Sequence, residues 1–356
     1  MRSNKLIIFV STLLTLFFLE LFFYFFVFPK NEYNYKNRYL IFSEGEIFRN
    51  INNFFTYEPN KEIIASNYYF KNNDFNKLYE YKIFTNNLGL VQKNDINNIS
   101  QSILFLGDSF TEGQGAPSWI NKFNGKYKNY QIINGGFLGT GFQQFNLIDN
   151  FLSDYNVKKV FVLFIGDDLR RDIFQFNNQQ LSCLKNHKNC LGTEGFYSYS
   201  LSRNDPKNFL IDLRKKQKIQ NTNEAINFKH IRRGIKTKIS DLYIVKIPMN
   251  FLKSKFYKSK NEKILRNFNA IESIINKYDD NIYFVHLKMR DEILNKKMSY
   301  ESIYAKDHIK NLTKNYFECS FNDNLSNFYE YDRHPNKKGY ESLYNCILNI
   351  LKKENI

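Results

Sequence analysis

The chain has 356 residues, 43% of them hydrophobic, and a formal net charge of +16 at pH 7. This length and apolar content allow a large buried core, which excludes an intrinsically disordered protein. The charge raises the question of nucleic acid, but the densest basic runs, residues 213–218 and 229–238, lack the interleaved aromatic side chains that stack on bases, so we predict solvated surfaces and no nucleic-acid partner.

The first predicted element is an apolar stretch from Leu6 to Phe28, interrupted by a single charge at Glu20. As a helix it is about 34 Å long, enough to cross a hydrocarbon core of roughly 30 Å. A cleaved signal peptide is the alternative, but its apolar region is usually shorter and ends at small residues, which do not follow Phe28. We therefore expect one uncleaved transmembrane helix, with residues 1–29 as a membrane anchor.

The orientation of this anchor is not fixed by charge, because basic residues flank it on both sides. The cysteines favour one side, since their even number is typical of disulfides formed outside the cytoplasm. Cys183 and Cys190 bracket a short loop, and Cys319 and Cys346 lie further along the chain. Four unpaired thiols are the alternative. We expect a single-pass membrane protein whose main domain lies in the periplasm or outside the cell.

Residues 30–100 are polar and rich in asparagine, with no long periodic segment, so we interpret them as a stalk that leads into a folded domain. At residues 102–106 a continuous apolar run ends at Gly107, which predicts a buried parallel strand. Similar runs follow at residues 131–133, 159–165 and 282–287.

Stretches with helical periodicity separate these strands. One covers Phe142 to Tyr155, and residues 337–352 form a final amphipathic helix. Strands that alternate with helices predict βαβ units around a parallel sheet, in a domain over residues 101–356. Residues 174–280 are too many for one crossover, so we expect an insertion there. Ligands of such a sheet bind at the carboxyl ends of its strands.

Two loops at that edge could present a hydroxyl and backbone amides to a ligand. Gly107-Asp108-Ser109 follows the first strand and can present a hydroxyl, although the same residues also form ordinary turns. The segment of residues 134–140 follows the second strand and is rich in glycine, so its backbone amides can approach a ligand, although it also suits a tight turn.

Two further loops carry ionisable side chains. Asp167 and Asp168 follow the third strand, and with Asp172 they could alternatively bind a divalent metal. Asp332 lies two residues before His334 in a turn that contains proline, where the carboxylate can orient the imidazole to accept a serine proton. The four loops together indicate a serine nucleophile more strongly than any one of them.

The order and contents of these blocks resemble the SGNH hydrolase superfamily of GDSL-like esterases and acyltransferases, from about Asn86 to Leu351. The resemblance implies a flavodoxin-like three-layer α/β/α sandwich with a parallel sheet. It also implies the site residues: Ser109 as nucleophile, His334 as base and Asp332 as its acidic partner, with the amides of Ser109 and Gly139 as oxyanion donors.

Asp167 departs from the family, which usually has an asparagine there whose amide donates a third hydrogen bond to the oxyanion. An ionised carboxylate cannot donate, and loss of one donor costs about 2.7 to 4 kcal/mol of transition-state stabilisation. Three outcomes stay open: Asp167 is protonated by burial, it turns away while another group donates, or the protein is a weak or altered catalyst.

The resemblance implies a hydrolase of O-acyl esters that works through an acyl-enzyme on Ser109, with acetyl as the expected acyl group. The expected substrate is an ester of an envelope glycan or lipid, or a small ester. It implies no metal and no organic cofactor. An O-acyltransferase and a catalytically impaired, glycan-binding accessory module of polysaccharide acylation are the alternatives. The acyl group, the acceptor and the oligomeric state are left open.

Overall fold

The computed structural model describes residues 2–22, 37–116, 119–127, 129–186, 196–198, 206–225 and 262–354. The chain divides into two units. One consists of residues 1–34 and 211–261, and the other of residues 35–210 and 262–356.

Regular elements account for most of these ranges. The strands are β1 (Arg38–Phe42), β2 (Phe48–Ile51), β3 (Phe54–Tyr57), β4 (Glu62–Lys71), β5 (Asp74–Phe84), β6 (Ser102–Gly107), β7 (Gln131–Gly136), β8 (Val157–Phe164), β9 (Phe196–Ser198), β10 (Ile282–Leu287) and β11 (Tyr316–Cys319). The α-helices are α1 (Arg2–Phe22), α2 (Ser109–Glu112), α3 (Phe142–Phe151), α4 (Asn178–Asn186), α5 (Pro206–Ala225), α6 (Glu262–Tyr278), α7 (Arg290–Leu294), α8 (Tyr300–Leu312) and α9 (Lys337–Lys353).

Helix α1 covers the first part of the predicted anchor. Among the residues that the structure describes, no helix combines the length and the apolar character needed to cross a membrane. The apolar stretch in the sequence continues to Phe28, so its last part lies outside the described residues.

Residues 37–100 are folded, and the interpretation of this region as a stalk is wrong. Strands β5, β4, β1 and β9 form a sheet in that order, and β2 and β3 form a separate hairpin. The hairpin from β4 to β5 turns through Asn72 and Asn73, whose φ angles are 55° and 62°. Asparagine tolerates this left-handed conformation, which two-residue hairpin turns require. Some of the asparagines that suggested a stalk are therefore turn residues.

The central sheet confirms the parallel α/β prediction. Its order is β11-β10-β8-β6-β7, and every adjacent pair is parallel. Every residue of β6 and β10 is buried, as continuous apolar runs predict for parallel strands covered on both faces. Strand β11 was not predicted, because it is a short edge strand that is only partly buried.

Helices lie against this sheet, and the predicted helical positions are confirmed with small changes at their ends. Helix α3 contacts β6 and β7 and packs against α6, while α9 contacts β11. Because side chains alternate along a strand, Ile103 and Phe105 share one face and pack in the core that includes Leu343 and Ile347 of α9. A disulfide between Cys319 and Cys346 links β11 to α9.

The predicted insertion contains less than residues 174–280. Helix α6 lies in the same unit as the central sheet and packs on α3, so residues 262–278 belong to the α/β core. Cys183 is disulfide-bonded, whereas Cys190, the other cysteine of the predicted loop, lies outside the described residues.

Candidate active site

Ser109 is the first residue of α2, directly after β6, the strand between β7 and β8. The turn needs a glycine before Asp108, because a Cβ on Gly107 would lie 1.9 Å from Oγ1 of Thr111. Asp108 caps α2, since its Oδ1 accepts a hydrogen bond of 2.9 Å from the Phe110 amide. The serine is therefore held at the carboxyl edge of the sheet by its two preceding residues.

The structure brings Ser109, His334 and Asp332 together, as the sequence predicts. Ser109 Oγ lies 2.7 Å from His334 Nε2, and His334 Nδ1 lies 2.7 Å from Asp332 Oδ1. The serine and histidine are 5% and 7% exposed, and Asp332 is fully buried. In this chain of hydrogen bonds the imidazole can take the serine proton while the carboxylate stabilises the imidazolium that forms.

Three side chains from the N-terminal sheet bind the carboxylate of Asp332, and the sequence reasoning missed all three. Arg38 Nη1 donates to Oδ1 at 2.7 Å, Asn67 Nδ2 donates to Oδ2 at 2.7 Å, and the Tyr79 hydroxyl also donates to Oδ2. Burial alone would raise the pKa of Asp332, but the charge of Arg38, together with His334, holds it well below its usual value. The acidic partner is thus kept ionised inside the protein.

Gly139 follows β7, the strand hydrogen-bonded to β6. Its φ is +73°, a conformation that glycine adopts without strain, and a Cβ there would meet open space. Among the described residues, neither the Ser109 amide nor the Gly139 amide donates to a backbone carbonyl. Both amides are therefore left without a backbone acceptor, as an oxyanion donor must be.

Asp167 follows β8, on the other side of β6, and its carboxylate forms an ion pair of 2.8 Å with Arg170. Its side chain is 21% exposed. Of the three outcomes left open by the sequence, this geometry favours a carboxylate turned toward a neighbouring cation. A third oxyanion donor does not come from this side chain.

Arg171 connects the three loops that surround the serine. Its Nη1 donates to Asp108 Oδ2 at 2.9 Å, to the Thr140 carbonyl at 2.8 Å and to Asp168 Oδ1 at 2.5 Å. These acceptors follow β6, β7 and β8. Burial would lower the pKa of Arg171, but the carboxylates of Asp168 and Asp108 outweigh it and raise that pKa. The arginine stays charged and fixes the loops relative to one another.

Another buried acid contacts residues 137–140, the loop after β7 that carries Gly139 (the oxyanion loop). Glu112 is 1% exposed, its Oε1 lies 2.8 Å from the Tyr57 hydroxyl, and its Oε2 accepts a hydrogen bond of 2.6 Å from the Leu138 amide. Burial raises the pKa of Glu112 to about 8, despite the lowering effect of these two hydrogen bonds. Because Leu138 precedes Gly139, this carboxyl group positions the backbone of the oxyanion loop.

The acidic residues considered as metal ligands do not converge. Asp167 pairs with Arg170, Asp168 with Arg171, and Asp172 with Lys263 and Arg266. Within the ranges described, no group of three or more potential ligands could hold a metal ion. These carboxylates form separate ion pairs.

His286 is the other buried histidine of the described ranges, and it has a core position. It is fully buried in β10, and its Nε2 lies 3.1 Å from Ser302 Oγ. Burial lowers the pKa of His286. This histidine is part of the packed interior rather than of the serine site.

A serine hydroxyl joined through histidine to aspartate, at the carboxyl edge of a parallel sheet, defines the class of serine hydrolases. Residues 103–347 match the family model described as GDSL-like lipase/acylhydrolase. The chain therefore belongs to this family and is a hydrolase of ester bonds. No curated protein matches the sequence.

Solved structures are similar to the chain at low identity. A member of the lipolytic protein G-D-S-L family from Veillonella parvula is 10% identical, with 71% of this chain and 100% of that chain covered and a TM-score of 0.34. A gut microbial diltiazem-metabolizing enzyme is 14% identical, with 71% and 47% covered and a TM-score of 0.36. An acetyl xylan esterase from the rumen bacterium Butyrivibrio proteoclasticus is 12% identical, with 73% and 65% covered and a TM-score of 0.29.

Proposed function

We propose that the protein hydrolyses O-acyl esters through an acyl-enzyme on Ser109, with acetyl as the expected acyl group. The observation that supports this proposal is the unbroken hydrogen-bond chain from Ser109 Oγ through His334 to Asp332, with both links 2.7 Å long. A serine hydroxyl is a weak nucleophile unless a neighbouring base accepts its proton. Here the base is in contact with the hydroxyl and is itself oriented by a buried acid.

In the proposed reaction, Ser109 Oγ attacks the acyl carbonyl carbon as His334 Nε2 takes the hydroxyl proton. The amides of Ser109 and Gly139 stabilise the oxyanion of the tetrahedral intermediate. Its collapse breaks the ester bond, and His334 returns the proton to the leaving alcohol. Water then attacks the acyl-enzyme, with His334 again acting as base, and releases the carboxylic acid.

We further propose that the substrate is an ester of an envelope glycan or lipid and that the enzyme is attached to the membrane through its N-terminal stretch. Two features support this. The sequence from Leu6 to Phe28 is long and apolar enough for a span, and the Cys319–Cys346 disulfide is typical of proteins folded in an oxidising compartment. The domain would then act on the periplasmic or outer side.

One observation favours a second candidate, an O-acyltransferase or a catalytically impaired module that binds glycan. Asp167 is paired with Arg170 and gives no third donor to the oxyanion. Weaker oxyanion stabilisation slows acyl transfer. An acyl-enzyme that forms slowly but is resolved by a sugar hydroxyl would make the protein a transferase, whereas one that does not form at all would leave a binding module.

Turnover of a short-chain aryl acetate by the full chain in detergent tests the proposal. We expect hydrolysis that is lost in Ser109→Ala and that survives a chelator, which removes the metal alternative. A matched control is Ser326→Ala, since Ser326 is exposed in the short 3-10 helix Leu325–Asn327 and takes no part in the triad. Equal rates for wild type and Ser109→Ala would contradict the proposal, and a rate that depends on an added sugar acceptor would favour the transferase.

A further inference from the structure

The carboxylate of Asp332 receives more hydrogen bonds than the histidine needs. Its Oδ1 accepts from His334 Nδ1 and from Arg38, and its Oδ2 accepts from Asn67 and Tyr79. Both oxygens are therefore saturated, and the carboxylate has one orientation available. In that orientation Oδ1 faces the imidazole.

The loop that carries Asp332 cannot supply these contacts by itself. Besides His334 Nδ1, the loop gives Oδ1 one further hydrogen bond, from the His334 amide at 3.3 Å. No hydrogen bond from the loop reaches Oδ2 among the described residues, and its donors come from β4 and β5. Among the described residues, Asp332 Oδ2, the outer oxygen, thus receives its hydrogen bonds entirely from the N-terminal sheet.

The strand register explains why the three donors meet at one point. Asn67 is directly opposite Tyr79 in the β4–β5 pair, and it is opposite Leu40 in the β1–β4 pair. Arg38 is two residues before Leu40, so it lies on the same face as Asn67 and Tyr79. Asn67 Nδ2 also contacts the Tyr79 hydroxyl at 2.7 Å, which locks the pair together.

We propose that Arg38, with Asn67 and Tyr79, is a positioning set that orients the acid of the triad, so that the N-terminal sheet is a part of the catalytic apparatus. This proposal rests on the proposed function of Ser109, His334 and Asp332. The set lies outside residues 103–347, the part of the chain that matches the family model. It is a device of this chain's own N-terminal region.

Arg38 also lies beside the base, since its Nη1 is 3.3 Å from His334 Nδ1. The charge of Arg38 helps to hold the pKa of Asp332 well below its usual value, whereas burial raises the pKa of Tyr79, Tyr81 and Tyr329. Arg38 therefore supplies a positive charge to this carboxylate, and the tyrosines around it stay neutral.

Two substitutions of Arg38 separate orientation from charge. Arg38→Gln removes the cation. Arg38→Lys keeps the positive charge but loses the planar guanidinium with its fixed set of N–H donors. We expect kcat/KM for the aryl acetate to fall about 10- to 100-fold in Arg38→Gln, as for loss of a hydrogen bond to a charged group. We expect this loss to fall on kcat with KM unchanged, because Arg38 orients the acid of the triad. Arg38→Lys should lose less rate than Arg38→Gln, because it keeps the cation beside Asp332.

Tyr79→Phe tests the outer oxygen, since it removes one hydroxyl and retains the ring that stacks on Tyr329 at 4.1 Å. We expect kcat to fall about tenfold with KM unchanged, as for a lost hydrogen bond to a charged group. The control is Lys82→Gln, which breaks an exposed ion pair with Glu62 on the same sheet and leaves Asp332 untouched. Its activity and pH profile should match those of the wild type.

The outcomes distinguish this inference from the proposed function. Absence of Ser109-dependent turnover in the wild type would remove both. A wild type with Ser109-dependent turnover, combined with an Arg38→Gln variant of wild-type kcat and kcat/KM, would overturn the positioning set alone. Equal loss of kcat in Arg38→Gln and Lys82→Gln would assign Arg38 a purely structural role and also overturn it.

Discussion

Glu112 gives the sharpest prediction about stability, because its carboxyl group is buried three residues after Ser109 and its pKa is raised from 4.5 to about 8. Between these two values the folded protein keeps a proton that the unfolded chain has lost. The free energy of unfolding must therefore fall as pH rises through this window, by about 1.4 kcal/mol per pH unit. Above pH 8 the loss is complete.

Glu112→Gln has the shape of the protonated acid and does not titrate. Its amide can donate to the Tyr57 oxygen while its carbonyl accepts from the Leu138 amide, the two contacts that Glu112 makes. We expect wild type and variant to have similar stability and turnover near pH 5. By pH 8 the wild type should have lost about 4 kcal/mol of unfolding free energy relative to the variant.

Urea unfolding followed by tryptophan fluorescence measures this difference. The sequence has one tryptophan, Trp119, which is 1% exposed and donates at 2.9 Å to the carbonyl of Phe110, a residue of the helix α2 that also carries Glu112. The control is Glu341→Gln, since Glu341 is exposed. The reasoning would be refuted if the difference in unfolding free energy between wild type and Glu112→Gln stayed constant from pH 5 to 8, or if the wild type became the more stable of the two as pH rises.

Two further predictions concern the oxyanion hole and the disulfide. Asp167→Asn should retain or raise kcat, and the rise can be at most about 100- to 1,000-fold, the effect of one oxyanion donor. The control is Arg170→Gln, which breaks the ion pair of Asp167 without supplying a donor and should not raise kcat. A large loss of kcat in Asp167→Asn would show that the carboxylate itself has a role. The double variant Cys319→Ala/Cys346→Ala, which opens a link over a separation of 27 residues, should lose about 3.5 kcal/mol of unfolding free energy while kcat of the folded enzyme is retained; unchanged urea midpoints would contradict this.

The central sheet could be predicted from sequence because parallel strands covered on both faces are continuous apolar runs. Residues 102–106 and 282–287 show this directly. Strand β11 has no such run, since an edge strand is stabilised by one neighbour and stays partly exposed. The serine and histidine could be predicted for a different reason, because they lie in two of the four loops that together indicate a serine nucleophile.

The N-terminal sheet was missed because its strands are not continuous apolar runs. In β5, buried Phe75, Tyr79, Tyr81 and Ile83 are interspersed with exposed polar residues, a pattern close to alternation. That pattern, with Asn72-Asn73 before it as a hairpin turn, was the available signal. The role of Arg38 had no local signal, because its partner Asp332 is 294 residues away. Only the tertiary structure brings them together.

Covalent labelling by a fluorophosphonate probe tests most directly the proposal that Ser109 is an activated nucleophile. The full chain in detergent is treated with the probe, and the modified residue is located by peptide mass spectrometry. We predict one adduct, on Ser109, which is absent in Ser109→Ala and forms more slowly in Asp332→Asn. A folded wild type that stays unlabelled, or an adduct on another residue that persists in Ser109→Ala, would contradict it.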